Sequence, residues 1–272
     1  MSSPYWVKIL INRTFAGRFL LARLTHFMPV GRLVEHLLFE GDEILYLPKD
    51  DVISVNRSVE QPESMAVPSQ VVEHFIKKAA FHWVMDFCIC RDSAHCNDYP
   101  VEYGCIFLGS AAGDINPRFG RQVTMAEALD HARRCREAGL VHLIGRNKLD
   151  TVWLNVGPPD RLMTICNCCP CCCLWKMLPV VTPAIGSKVF RMPGIHMEVT
   201  GQCVGCGTCT KDVCFVNAIT LAGGKAVINQ EACRGCGRCA AVCPTGAVEM
   251  VVEDEAYINR AIGRISELVD LS

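Results

Sequence analysis

Two cysteine runs constrain this chain more than any other feature. Residues 203–214 read CVGCGTCTKDVC and residues 233–244 read CRGCGRCAAVCP, so one pattern starts at Cys203 and again at Cys233. Each run sets three cysteines two residues apart and adds a fourth beyond a short interval. Three thiols so spaced can reach three corners of one cubane from a single tight loop. Gly205, Gly207, Gly235 and Gly237 let the backbone turn around such a centre and aim N–H groups at its sulfurs. Structural zinc normally takes paired C-x-x-C ligands separated by a longer spacer. Triplets with a trailing fourth thiol therefore favour iron–sulfur clusters over zinc.

The chain holds 19 cysteines in 272 residues, an odd count without a secretory signal, which does not read as a disulfide framework. Clustered thiols in a reducing compartment mean metal or redox chemistry, so a cytoplasmic metalloprotein is expected. A net charge of −1 gives no field that would draw nucleic acid.

Residues 191–252 resemble the bacterial two-cluster ferredoxin family. The second run matches its pattern fully, including Pro244. The first departs from it: four residues separate Cys209 from Cys214, and Phe215 stands where proline is usual. The resemblance implies two [4Fe–4S] clusters, the fourth cysteine of each run reaching the other cluster. Cluster one would take Cys203, Cys206, Cys209 and Cys243, and cluster two Cys233, Cys236, Cys239 and Cys214. The extra residue makes Cys214 the least secure of the eight. After each run, Ala218–Thr220 and Ala247–Glu249 read as matching short strands, with Gly223-Gly224 as a hairpin turn.

A second group of thiols lies upstream. Cys88, Cys90, Cys96 and Cys105 precede the block Cys166, Cys168, Cys169, Cys171, Cys172 and Cys173. Six thiols in so short a block would be oxidation-prone if left free. At least one additional iron–sulfur cluster is the favoured reading, with iron held through these cysteines. Zinc and a dithiol cycling through a disulfide are the alternatives. Arg91 would set a fixed cation beside such a cluster or make a surface salt bridge. His95 is a lesser candidate ligand or proton donor. Cys135, alone in a helix, reads as a small buried hydrophobe. Residues 69–190 resemble an uncharacterised group of cysteine-rich iron–sulfur proteins of anaerobic microbes, which implies an anaerobic redox setting and no substrate.

The expected fold class is α+β. Residues 1–68 form a helical N-terminal segment (1–45) and a linker punctuated by Pro48, Pro62 and Pro68. Residues 69–190 form the Cys-rich mixed domain, residues 191–252 the ferredoxin-like domain, and residues 253–272 a closing helix. Within residues 5–39, Trp6, Ile9, Leu10, Phe15, Phe19, Leu20, Leu24 and Phe27 alternate with Lys8, Arg13, Arg18, Arg23 and Arg32. That pattern suits packing on the chain itself or on a partner subunit, and secondarily peripheral membrane contact; no transmembrane span is expected. Ser69 is expected to cap a helix, and Thr124 with Glu127 forms a capping box for another that ends at Gly139. His142–Ile144, Thr151–Val156 and Leu162–Ile165 read as strands. A helix followed by a hairpin also occurs in winged-helix DNA binders, but this segment lacks a basic footprint. Ile258, Ile262, Ile265 and Val269 make one stripe, expected to dock on the ferredoxin-like domain.

Motifs for dinucleotides, nucleoside triphosphates, covalent haem and radical-SAM chemistry are absent. The function expected is low-potential electron transfer to or from a partner oxidoreductase. An iron–sulfur reductase whose catalytic cluster lies in residues 88–173 is the alternative, and an accessory protein that activates or delivers clusters to another metalloenzyme is the third.

Overall fold

The computed structural model describes residues 2–54, 67–254 and 256–272. The fold is α+β, built on a seven-stranded sheet. Its strands are β1 (Glu43–Tyr46), β3 (His82–Met85), β4 (Ile106–Leu108), β5 (Gly120–Gln122), β6 (Val141–Arg146), β7 (Met163–Cys168) and β8 (Val189–Arg191), in the order β5-β3-β4-β7-β6-β1-β8. All neighbours are antiparallel except β1 and β8. Side chains alternate between the two faces, as the pleat requires. Leu45, Ile144, Met163 and Ile165 face the helices Ser69–Lys78 and Met125–Glu137 through Val72, Phe75, Ile76, Ala128 and Ala132. Ile44, Tyr46, Val141 and Leu143 face the other way, onto Ala22, Val34, Phe39 and Trp175.

The smaller sheets belong to the C-terminal part. β10 (Ile219–Ala222) and β11 (Lys225–Ile228) pair as a hairpin, turned by Gly223 and Gly224 at φ 56° and 76°. β12 (Val248–Val252) pairs antiparallel with β9 (Ile195–Val199) and, on its other edge, parallel with β2 (Ile53–Ser54).

Several local expectations hold. Glu127 N–H donates to Thr124 Oγ1 at 3.3 Å and Thr124 N–H to Glu127 Oε2 at 2.7 Å, closing the capping box. Ile258, Ile265 and Val269 are buried, with Ile262 packed beside them. The closing helix, Tyr257–Ser266, is shorter than expected, so that Val269 packs from the segment after it. The helix docks not only on Met197 and Met250 of the ferredoxin-like part but also on Ser69–Lys78. Arg264 binds Glu43 at 2.8 Å, so the helix clasps both parts of the chain.

Other expectations are corrected. Residues 43–46 are a strand, not the end of a helical stretch; four residues carry too little periodicity to announce a strand that sits between two partners. Thr151–Val156 falls on the helix Lys148–Leu154. Asp42 accepts the Lys148 N–H at its start, and Asp150 gathers Asn147 Nδ2, Trp153 Nε1 and Thr164 Oγ1. These polar bonds override the alternating pattern. Ser69 begins its helix rather than capping it, and Asp50 Oδ1 accepts its N–H at 2.9 Å. Residues 55–66 of the expected linker, Pro62 among them, lie outside the described residues.

Burial, assisted by Asp150 and opposed by the Lys148 N–H, pushes the Asp42 carboxyl up to about 7. In an unfolded chain the group titrates near ~3.9. Between those values the folded chain keeps a proton that the unfolded chain has released. The stability this group contributes is full below ~4 and is lost as pH rises toward 7. Asp42→Asn should remove that part of the pH dependence, read by denaturant unfolding across the window. An unchanged slope would refute the assignment.

Candidate iron–sulfur centres

The two C-terminal loops are built alike. Gly205 and Gly235 sit at φ 69° and 62°, and Gly207 and Gly237 at 72° and 76°. Backbone N–H groups turn toward sulfur: Ala226 N donates to Cys203 Sγ at 3.3 Å, and Gly235 N to Cys233 Sγ at 3.4 Å. Cys214 and Cys243 occupy equivalent positions, each accepting the N–H four residues on, from Ala218 and Ala247, at 3.2 Å. The extra residue of the first run is taken up ahead of Cys214, where Asp212 adopts φ 57°.

The thiols also gather as two quartets. Burial and the neighbouring Cys236, Cys233 and Cys214 push the Cys239 thiol up. Burial raises Cys209, beside Cys243, Cys206 and Cys203. Thiols raised only by burial and by one another need a cation or an iron centre to ionise, and the N–H donors suit the sulfide of a cluster. The residues fit [4Fe–4S] ligation. At Gly205 an added Cβ would lie 2.1 Å from the Gly224 carbonyl oxygen. Gly205→Ala is therefore expected to cost at least ~1–2 kcal/mol in backbone conformation alone and to lower iron retention in the first loop. Iron content and thermal unfolding measured together test this, and a variant equal to the parent in both would contradict it.

Residues 202–247 match the 4Fe-4S dicluster domain family. This segment is a ferredoxin-type dicluster domain. The chain is 38% identical over 69 residues to an uncharacterized ferredoxin of Methanocaldococcus jannaschii, covering 25% of this chain and 40% of that protein. It is 44% identical over 48 residues to one component of an ion-translocating oxidoreductase complex of Methanosarcina acetivorans, covering 18% of this chain and 18% of that protein. A putative oxidoreductase of Escherichia coli is 39% identical over 66 residues, covering 22% of this chain and 10% of that protein. The chain thus spans less than half the length of these relatives. No solved structure matches it significantly.

Upstream of the dicluster domain, the ten other candidate thiols form two groups that meet at Cys169. Cys96, Cys169, Cys171 and Cys172 have sulfurs all within 4.8 Å of one another. Cys88, Cys90, Cys105, Cys166, Cys168 and Cys173 line a mostly apolar cavity of about 210 Å³, with Phe15 and Trp153 in its wall, and Cys169 reaches this cavity too. Cys105 Sγ and Cys166 Sγ lie 3.6 Å apart. A hydrogen bond from Cys90 holds Cys88 down to about 7, against burial and with help from Arg91. Hydrogen bonds from Cys166 and Cys173 hold Cys168 well below the ordinary thiol range, again against burial. Their donors Cys90, Cys166 and Cys173 are raised. The cavity thus favours thiolate at Cys88 and Cys168.

Arg91 makes no surface salt bridge. It is 0% exposed, and its guanidinium donates to the carbonyls of Pro100 at 2.8 Å, Asn167 at 2.7 Å and Tyr103. Burial works against its charge, yet the neighbouring cysteines Cys88, Cys169, Cys168 and Cys105 more than offset that and raise its pKa. His95 stands in the turn before Cys96, at φ 49°, and is not part of the four-thiol group. Cys135 is buried beside Cys169 and Cys172, and burial pushes it up to about 12, as suits an inert packing residue.

Three residues that sequence reasoning missed join the two regions. Arg238, buried in the second dicluster loop, donates to the Cys168 carbonyl. Phe215 stacks on Tyr46 at 4.7 Å, and Tyr46 Oη lies 3.9 Å from Cys173 Sγ. Phe215 in place of proline was the available signal: an aromatic directly after Cys214 needs a partner.

Proposed function

We propose that this chain carries single electrons at low potential between its dicluster domain and the thiol-lined cavity, on behalf of a partner oxidoreductase. Cys203, Cys206, Cys209 and Cys243 hold one [4Fe–4S] cluster, and Cys233, Cys236, Cys239 and Cys214 hold the second. Cys88, Cys90, Cys105, Cys166, Cys168 and Cys173 of the cavity hold an additional iron–sulfur cluster. Such clusters exchange one electron at a time without proton or group transfer from side chains.

One observation carries the reading: the second quartet is packed against the cavity. Cys214, Cys233 and Cys236 share a hydrophobic cluster with Cys166, Cys168 and Cys173, together with Tyr46 and Phe215. Tyr46 and Phe215 exclude water from the gap, while the Arg238 cation holds the second loop against the Cys168 carbonyl.

A partner complex is supported by the Methanosarcina acetivorans relative, itself one component of an ion-translocating oxidoreductase complex. Among the described residues no helix is long and apolar enough to cross a membrane. The short helices within residues 6–38 and the turn between the last two leave Trp6 (60% exposed), Leu20, Phe27 (64%), Leu33 and Leu37 outward. This face suits a partner protein better than a membrane surface, because helices of seven to nine residues in separate pieces do not form one continuous interfacial stripe. The protein acts in an anaerobic, cytoplasmic setting, in keeping with the methanogen relatives.

Anaerobic isolation of the full chain with iron and acid-labile sulfide quantified tests the proposal. About twelve or more sulfides are expected, whereas about eight would limit clusters to the dicluster domain. Colourless, sulfide-free protein that also resists reconstitution would overturn it. A second reading, a reductase, is favoured by the cavity's apolar wall of Ile11, Phe15 and Trp153, which could receive a small molecule. Titration of the reduced protein with small thiols and disulfides separates the two, since unchanged spectra without turnover indicate the carrier.

A further inference from the structure

The four thiols Cys96, Cys169, Cys171 and Cys172 stand too close together to serve a cubane. A cubane places each cysteine on a different iron, which spreads the sulfurs. A single tetrahedral ion with bonds of ~2.3 Å brings its four sulfurs to ~3.8 Å from one another. Here Cys96 Sγ and Cys171 Sγ are 3.6 Å apart, Cys171 Sγ and Cys172 Sγ are 3.5 Å apart, and no pair in the group exceeds 4.8 Å. These separations are also far longer than the ~2.05 Å of a disulfide. Among the described residues, this is the one group that closes so tightly, and the thiols of the dicluster domain do not.

We infer that Cys96, Cys169, Cys171 and Cys172 bind one thiophilic divalent ion, zinc or ferrous iron, in a closed all-thiolate site separate from every cluster. Four protein ligands leave no position for water or substrate, so the ion is structural. Its surroundings suit such a site. Cys172 N–H donates to Cys169 Sγ at 3.4 Å, and Arg91 sets its positive charge near Cys169. Cys169 and Cys172 are buried, while Cys96 and Cys171 close the outer side.

The placement gives the ion its role. Cys96 follows the helix Ile89–Ser93, which carries Cys90 and Arg91, and the other three ligands follow β7, which carries Cys166 and Cys168. One ion therefore ties together the two chain segments that supply most of the cavity's thiols. The inference does not rest on the cavity holding a cluster.

The test compares the anaerobically purified full chain with a Cys96→Ser/Cys171→Ser variant, and with Cys135→Ala as a control that keeps all four ligands. The expected result is loss of one equivalent of zinc or iron from the double variant, with acid-labile sulfide and the control unchanged. Loss of several irons with matching sulfide would mean a cubane and overturn the inference, as would no loss of metal. If the double variant fails to fold, the parent protein decides. Zinc-edge X-ray absorption should show four sulfurs at ~2.3 Å without a neighbouring metal; alternatively, Mössbauer spectra should resolve one mononuclear ferrous site apart from the clusters. A nitrogen or oxygen ligand, or neither ion in mononuclear form, would refute the site. Because the sulfide count is read separately, failure here is distinguishable from failure of the electron-transfer proposal.

Discussion

Replacing Arg91 with methionine is expected to destabilise the folded chain by about 3–5 kcal/mol, the scale of breaking a buried charge interaction. The guanidinium satisfies three carbonyls from two distant places in the chain, Pro100 and Tyr103 in one loop and Asn167 on β7, and it is fully buried. Methionine fills comparable space but leaves those acceptors unpaired. It also removes the cation that Cys88, Cys168 and Cys169 face. Arg91→Lys should rescue only part of the loss, because one ammonium on a flexible stem cannot span a fixed fork. Anaerobic denaturant unfolding measures the effect. A cost below ~1 kcal/mol for methionine would show that the three hydrogen bonds are not held in solution.

The second large effect concerns Cys214. Cys214→Ser should deprive the protein of about four irons and about four sulfides, while the first cluster remains visible by electron paramagnetic resonance. The residue was the least secure ligand by spacing. The fold nevertheless gives its sulfur the same N–H donor geometry as Cys243, which belongs to the run that matches the ferredoxin pattern in full. Cys214 is also among the neighbouring cysteines that push the Cys239 thiol up. Full retention of iron and sulfide in the variant would remove Cys214 from the ligand set.

What the sequence revealed depended on how local each feature is. The dicluster loops were legible because three cysteines, their turning glycines and the next strand follow one another directly. The capping box at Thr124 and the apolar stripe of Ile258, Ile262 and Ile265 were legible for the same reason, while Val269 falls past the helix end. By contrast, the division of the ten upstream thiols was hidden. It depends on β7 pairing with β4 and β6, which brings Cys166 and Cys168 beside a loop some sixty residues earlier in the chain. Arg91 was read as a surface cation or a cluster neighbour, since three carbonyl acceptors leave no trace in a sequence. The helix Lys148–Leu154 was mistaken for a strand because its alternating residues spoke louder than the polar bonds that Asp42 and Asp150 supply.

The pairing of β2 with β12 bears on any attempt to transplant the ferredoxin-like part. Excised as residues 191–252, it would lose the strand at 53–54 and leave one side of β12 with unpaired amides and carbonyls. A bare margin of that kind recruits other chains. Shortened versions should therefore self-associate unless residues 53–54, or a charged substitute on that margin, travel with them.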